Sequence, residues 1–232
     1  LGKNSMGRSA ILLGKGPSIL RTTSEYVSSF DDVIIVNRPI WDGYENHIPR
    51  RADIQYRNNS TEDFSKEEVV ELGLRKVVSI AQVGEQLREE AHRGIIDVEY
   101  PPFQPGPNNS ITLNYKDISF SPSGGVLAFH HIVESGEYDN ISVVGLDLMM
   151  VGKRAYYFEP EEMQDNVKYL LHNGTYSREG FLTIKKSLHS EENAINYMTG
   201  VIEETTDIRF EITSDNEKLI GFIKDFSNTT IL

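Results

Sequence analysis

The apolar run Ala10–Leu13 leads straight into Gly14-Lys15-Gly16-Pro17-Ser18, and this junction constrains the fold more than any other stretch of the chain. A buried strand that enters a glycine turn and then a proline marks the first strand-to-helix crossover of a nucleotide-binding α/β domain. The two glycines let backbone approach a ligand without Cβ clashes. Pro17 suits a first helical turn, where its missing N–H costs nothing. The amides of that turn can point at a phosphate. Lys15 reads either as a solvated turn lysine or as an ammonium beside such a phosphate.

The rest of the chain repeats the alternation. Ser18–Phe30 has an apolar stripe at helical spacing (Ile19, Leu20, Tyr26, Val27, Phe30), and Val33–Val36 is a β-branched run of the doubly buried parallel type. Further strands are expected over Asp53–Tyr56, Lys76–Ala81, Ile141–Val144 and Ile208–Ile212. Helices are expected over Val83–His92, Gly124–Glu134, Ser190–Thr205 and Glu217–Phe226, with Tyr100–Asn109 an irregular, proline-rich connection. Residues 149–188 are polar, aromatic and weakly periodic, the pattern of a lid or binding loop inserted into a compact domain. The expectation is a single α/β, Rossmann-like domain with a mostly parallel sheet, residues 6–148 and 189–232, interrupted by a lid at 149–188.

Ligands of such sheets bind beyond the carboxyl ends of the strands. The polar residues there are Lys15 to Ser18, Asn37 and Arg38, Asn58 and Asn59, and Gly145 with Asp147. Asp147 could orient a ribose or the lid, or simply hold its own turn. Tyr156 and Tyr157, inside the insertion, could meet a phosphate or anchor the loop to the core. His189 precedes Ser190-Glu191-Glu192 at a helix start, where the macrodipole disfavours imidazolium and keeps the ring a competent base. His130-His131 reads as packing or capping in a buried helix. No His, Asp or Glu spacing resembles a metal site.

Composition narrows the function classes. The 232 residues carry a formal charge of −12, against the clustered Lys and Arg that duplex nucleic acid requires. There is no cysteine, which excludes disulfides and thiolate-held metal. No apolar run approaches a membrane span, and no signal-peptide h-region opens the chain; Met6 is the expected natural start and the cytoplasm the expected compartment. The stripe Leu219, Phe222, Ile223 and Phe226 fits a terminal helix packed on its own domain, with peripheral contact to a membrane surface as the alternative.

Several short pieces, in order, resemble the bacterial sialyltransferases of glycosyltransferase family 42, which use CMP-sialic acid. They are Gly14-x-Gly16-Pro17-Ser18, Val36-Asn37, Tyr56 with Asn58 or Asn59, Ser123-Gly124, Gly145-Leu146-Asp147, Tyr156-x-Phe158 and His189-Ser190. The resemblance implies a GT-A-like sialyltransferase variant of the Rossmann-like fold with a flexible lid. It also implies an inverting, metal-independent transfer from a CMP-sugar donor to a glycan acceptor, with no further cofactor and a histidine general base. Carried over, the glycine turn and Asn37 would hold the phosphate and ribose region. Asn58 or Asn59 and the Ser123-Gly124 helix start would hold the donor sugar or cytidine. Tyr156 would bond the leaving phosphate, and His189 would deprotonate the acceptor. Family relatives often assemble as homo-oligomers.

The chain departs from that pattern at three places. Lys15 stands where the family has Asn, Met149 where it has its first phosphate-binding tyrosine, and Ser119, Phe120 and Ser121 where an arginine is expected. Another CMP-activated keto-sugar therefore stays open as donor. A magnesium-dependent pyrophosphokinase shares the glycine turn but needs paired carboxylates, of which only Asp147 is well placed. A non-catalytic CMP- or glycan-binding protein is the other rival. A nicotinamide dehydrogenase wants a third glycine where Ile19 stands and an acidic residue where Asn37-Arg38 ends strand two.

Overall fold

The structure is a computed structural model, and it describes residues 7–58, 64–80, 96–99, 101, 103–105, 111–148, 156–157, 168–171, 174–177 and 189–232. Eight strands form one sheet. They are β1 (Ser9–Leu13), β2 (Asp32–Val36), β3 (Ile54–Arg57), β4 (Lys76–Ser79), β5 (Asp97–Glu99), β9 (Asn140–Val144), β12 (Arg209–Thr213) and β13 (Thr229–Ile231). Their order is β13-β12-β9-β1-β2-β3-β4-β5, and every neighbouring pair is parallel. An eight-stranded parallel sheet with helices on both faces is the α/β fold the alternation called for.

Side-chain alternation divides the core in two. Ala10 and Leu12 of β1, with Ile34 and Val36 of β2, face α3 (Gly124–Ser135), α4 (Glu191–Glu204) and α5 (Glu217–Ile223). Ile11, Leu13, Val33 and Ile35 face the opposite layer: a 3₁₀ turn at Pro17–Arg21, α1 (Ser24–Ser28) and α2 (Lys66–Leu72). Such doubly covered strands need no polar face, which is why β2 is buried along its whole length.

Several elements differ from expectation. The helix anticipated over Ser18–Phe30 is broken into the 3₁₀ turn and α1, because Thr22 and Thr23 are extended and the Thr23 hydroxyl caps Tyr26 N–H at 3.2 Å. Ile19 and Val27 still bury on the same face, so the periodicity was real although the helix is not continuous. α2 is closed by a full capping box between Ser65 and Glu68 and by Gly73 at φ +70°. Within the connection expected to be irregular, β6 (Gln104–Pro105) pairs with β7 (Ile111–Tyr115), which turns back as β8 (Ile118–Phe120). The helix expected at 83–92 lies outside the described residues. In α5, Leu219 and Ile223 enter the core, while Phe222 stays 58% exposed. Of residues 149–188, an antiparallel hairpin, β10 (Lys168–Leu171) with β11 (Gly174–Ser177), forms its own two-stranded sheet apart from the main one. Among the described residues no helix is long and apolar enough to cross a membrane.

The chain adds strands outward from β1 on one side and then, from β9, on the other. The direction of winding therefore reverses between β1 and β9, whose carboxyl ends define the binding crevice of an open parallel sheet.

Candidate functional site

At this crevice the glycine turn is pressed onto the β9 turn. A Cβ on Gly14 would lie 2.2 Å from the Gly145 carbonyl oxygen, and one on Gly16 would lie 2.3 Å from Asp147 Oδ2. Gly145 itself has φ +72°. Only glycine permits these approaches. They let Gly14 N–H donate to Val144 O at 2.8 Å and Gly16 N–H to Gly145 O at 2.7 Å, which extends the β1–β9 ladder past the strands.

Asp147 completes this internal arrangement. It is 2% exposed; its Oδ2 accepts from Ser18 N–H at 2.8 Å, and its Oδ1 accepts from the Ser214 hydroxyl and the Asp215 N–H, each at 2.9 Å. Ser18, fully buried, donates its hydroxyl to Thr213 O at 3.0 Å and receives Gly145 N–H at 3.2 Å. Ile19 N–H returns to Gly16 O at 3.2 Å, and Pro17 has no amide hydrogen. The expectation that Gly14, Gly16, Pro17 and Ser18 offer amides to a phosphate is thus corrected: Asp147 occupies the anion position of this turn. Asp147 reads as the structural member of its two alternatives, and Gly145 as a close-packing residue.

Lys15 stands between the two glycines, half-buried. Burial pushes its ammonium down to about 8. Its carbonyl accepts Tyr157 N–H at 2.9 Å. Tyr157 is fully buried: its hydroxyl donates to Ile40 O at 2.6 Å and accepts from Ile40 N–H at 2.7 Å, and its ring stands edge-on to Tyr44 at 4.8 Å. Burial raises its phenol pKa, which keeps it neutral. Tyr157 is therefore the anchor of its loop and not a phosphate ligand. The anchor holds its half-buried neighbour, Tyr156, beside the glycine turn.

Beyond β2, Asn37 adopts φ +58°, a left-handed conformation that Asn tolerates. Its N–H donates to Tyr56 O at 2.7 Å, and its Oδ1 accepts Asn58 N–H at 3.0 Å, so these two asparagines are joined across the ends of β2 and β3. Asn59 and Met149 lie outside the described residues. Arg38 turns aside: its guanidinium pairs with Glu68 and lies 4.8 Å over the Phe64 ring, and it holds the Glu68 carboxyl below the usual range. The donor-binding expectation for Arg38 is corrected accordingly. Arg57, buried at the last position of β3, is a cation the motif reading passed over. Its signal was a charge closing an otherwise strand-like run.

The start of α3 crosses this edge. A Cβ on Gly124 would meet Ile80 Cδ1 at 2.9 Å and Val36 Cγ1 at 3.5 Å, and one on Gly125 would meet Leu146 Cδ1 at 2.4 Å. The N-terminus is thereby seated over β2, β4 and the β9 turn. Ser123 holds the N-cap position in extended conformation, but its side chain makes no capping bond, and the first turn contains no acidic residue. The caps of α1, α2, α4 and α5 all make theirs.

His189 reaches the same region from the far end of the insertion. Its Nδ1 lies 3.0 Å from Ser121 O, two residues before the α3 cap. A carbonyl can only accept, so Nδ1 carries the hydrogen and Nε2 the lone pair in the neutral ring. Two residues later, Glu191 Oε1 accepts from Asn216 Nδ2 at 3.1 Å, and the same amide reaches Asp147 O at 3.5 Å. These bonds tie the imidazole's segment to both α3 and the β9 turn. The Ser121 carbonyl, a backbone group, has no sequence signature.

The fold has known counterparts. No protein-family model matches the sequence, and no curated protein matches it. Among solved structures, the sialyltransferase CstII from Campylobacter jejuni, determined with the substrate analogue cytidine-5'-monophosphate, aligns with a TM-score of 0.51 at 12% identity, over 94% of this chain and 84% of that one. Monomeric CstII aligns with a TM-score of 0.50 at 13% identity, over 96% and 87%. A mammalian sialyltransferase in complex with Gal-beta-1-3GalNAc-ortho-nitrophenol aligns at 0.44 and 10% identity, over 88% and 68%, too remote to weigh. The likeness is one of fold.

The pair His130-His131 serves packing. His131 Nδ1 lies 2.8 Å from the Tyr56 hydroxyl and its Nε2 3.1 Å from Glu99 Oε1, while His130 Nδ1 lies 2.6 Å from the Tyr197 hydroxyl. Burial lowers both pKa values. Among the described residues no three His, Cys, Asp or Glu side chains gather as metal ligands.

Proposed function

We propose that this chain transfers sialic acid or a related keto-sugar from a CMP-activated donor to a glycan hydroxyl, with inversion and without a metal ion. The observation that carries the reading is the His189 ring. Its Nδ1 hydrogen engages the Ser121 carbonyl, so Nε2 holds the lone pair of a general base on the sheet edge that also bears Asn37, Asn58 and the uncapped start of α3. The fold shared with a sialyltransferase whose structure contains cytidine-5'-monophosphate supports the donor class.

In this reading Asn37, Asn58 and the first-turn amides of Gly124 and Gly125 hold the cytidine and sugar. Tyr156 donates to the leaving phosphate from the 149–188 insertion, which acts as a lid over the 6–148 and 189–232 domain. The bond between the anomeric carbon and the phosphate oxygen breaks with its electron pair going to phosphate. The acceptor oxygen takes the opposite face of that carbon, and its proton passes to His189 Nε2. General-base assistance of this kind is worth about 10²–10⁴-fold. The pyrophosphokinase alternative would need Asp147 as a metal carboxylate, and Asp147 already accepts three hydrogen bonds from its own chain.

The test is CMP release from CMP-sialic acid over a panel of glycan acceptors, with and without chelator. Chelator-insensitive, acceptor-dependent release is expected, with His189→Ala slower by about 10²–10⁴-fold while still folded, its stability lowered by only about 1 kcal/mol through loss of the bond to Ser121 O. Near-normal transfer by His189→Ala would end the assignment.

A further inference from the structure

We propose, on the basis of the glycosyl-transfer reading above, that the Lys15 ammonium is the counter-charge for the donor phosphate and for the second negative charge that develops on it as CMP leaves. The first support is elimination within the turn. The amides of Gly14, Gly16, Ser18 and Ile19 all donate to groups of the protein itself, and Pro17 has none. The backbone cradle that a glycine turn ordinarily offers a phosphate is thereby reduced to the N–H of Lys15, and the ammonium of the same residue is the charged donor beside it.

The second support is the state of that side chain. Several cations elsewhere are matched with carboxylates: the partly buried Arg51 with Asp53, Lys76 with Glu99 and Arg38 with Glu68, and the exposed Arg8 and Arg75 with Asp32. Lys15 is half-buried, and among the described residues no hydrogen bond or ion pair reaches its ammonium, in a chain whose formal charge is −12. The nearby Asp147 is held by Ser18, Ser214 and Asp215, and the Tyr157 hydroxyl by Ile40. A desolvated, unmatched ammonium is costly, and an arriving anion removes that cost. Its pKa, pushed down to about 8, records the burial. The third support is proximity: Tyr157 N–H bonds the Lys15 carbonyl at 2.9 Å, which brings the backbone of Tyr156 alongside the glycine turn.

The chemistry matches a movable full charge better than fixed amides. In the donor the phosphate is a diester with one negative charge. When the carbon–oxygen bond breaks, the electron pair stays on phosphate, and CMP departs as a monoester whose second pKa is about 6, hence a dianion near neutral pH. The acceptor's proton goes to His189, so nothing neutralises that new charge except its neighbours. An ammonium gains most as the charge doubles, which is stabilisation specific to the transition state and product.

The experiment titrates the full chain with CMP and, separately, with cytidine. The wild type should bind CMP more tightly than cytidine. Lys15→Met should weaken CMP by about 10- to 100-fold while leaving cytidine unchanged, and Lys15→Arg should keep most of the CMP affinity. Equal CMP affinity in wild type and Lys15→Met overturns the proposal and leaves the transferase reading standing. An equal loss for both ligands also overturns it, since Lys15 would then shape the site and not meet the phosphate. Failure of the wild type to bind either ligand overturns the transferase reading and this proposal together.

Discussion

Two helix starts face the same end of the sheet, and they differ in what satisfies them. At the first, Pro17–Arg21, the Asp147 carboxylate takes Ser18 N–H, and the amides of the glycines on either side of Lys15 bond Val144 O and Gly145 O at the end of β9. At the second, Gly124–Ser135, the cap residue makes no side-chain bond and no acid lies in the first turn. The first carries the residues that look most like a phosphate site; the second is a plain Ser-Gly-Gly. A glycine turn followed by a helix is as useful for joining two strands as for binding an anion. Which use applies is decided by a carboxylate more than a hundred residues away in sequence.

The largest test of this contrast is Asp147→Ala. It leaves buried Ser18 N–H, Ser214 hydroxyl and Asp215 N–H without their acceptor. At about 1–3 kcal/mol per buried unsatisfied group, a loss of about 3 kcal/mol or more is expected in urea denaturation. If stability barely changes while CMP affinity collapses, the assignment of the two starts is inverted. Next is Ser123→Asp, which supplies α3 with its missing cap. Stability should rise by about 0.5–1 kcal/mol, and CMP affinity should fall by about tenfold as the carboxylate occupies the ligand's place; calorimetry reads both. Tyr157→Phe removes the hydroxyl bonded to Ile40 and should cost about 1 kcal/mol in thermal or chemical unfolding.

The smallest effect is the pH dependence carried by Lys15. Its folded pKa of about 8 lies below the ordinary 10.5, so between those values the unfolded chain binds more protons. Stability therefore rises with pH across that window and is flat below it. The difference in unfolding free energy between wild type and Lys15→Met should show this slope between about pH 8 and 10.5. A parallel pair of curves would mean that the ammonium is not desolvated in the folded state.

The central strands were legible because burial on both faces leaves uninterrupted apolar runs: Ala10–Leu13, Val33–Val36 and Ile141–Val144 each match a strand within a residue or two. Shorter edge elements such as β5 and β13 carry no such run. The hairpin β7–β8 has only the weak alternation of ITLNY and a turn at Lys116 with φ +49°. α2 did have a readable signature, Ser65-x-x-Glu68 with Gly73 beyond it, and it lay between strands whose spacing already required a crossover.

Motif order singled out His189, Ser123-Gly124, Asn37 and Asn58, of which the structure joins Asn37 to Asn58 and sets His189 against Ser121 O ahead of the α3 cap. It did not reveal how each polar group is employed. Arg38 serves Glu68, Tyr157 serves Ile40, and Asp147 serves the turn it follows. Polar residues at the carboxyl ends of strands are available to the protein and to a ligand alike, and sequence position does not distinguish the two.

The contact between Gly14 and Gly145 has a practical consequence for anyone wishing to redesign specificity. A single methyl at position 14 would land 2.2 Å from a neighbouring carbonyl oxygen and pry apart the two central strands. Libraries should therefore hold both glycines fixed and diversify the rim instead, where Lys15, Tyr156 and Ser123 can vary without moving the floor beneath them.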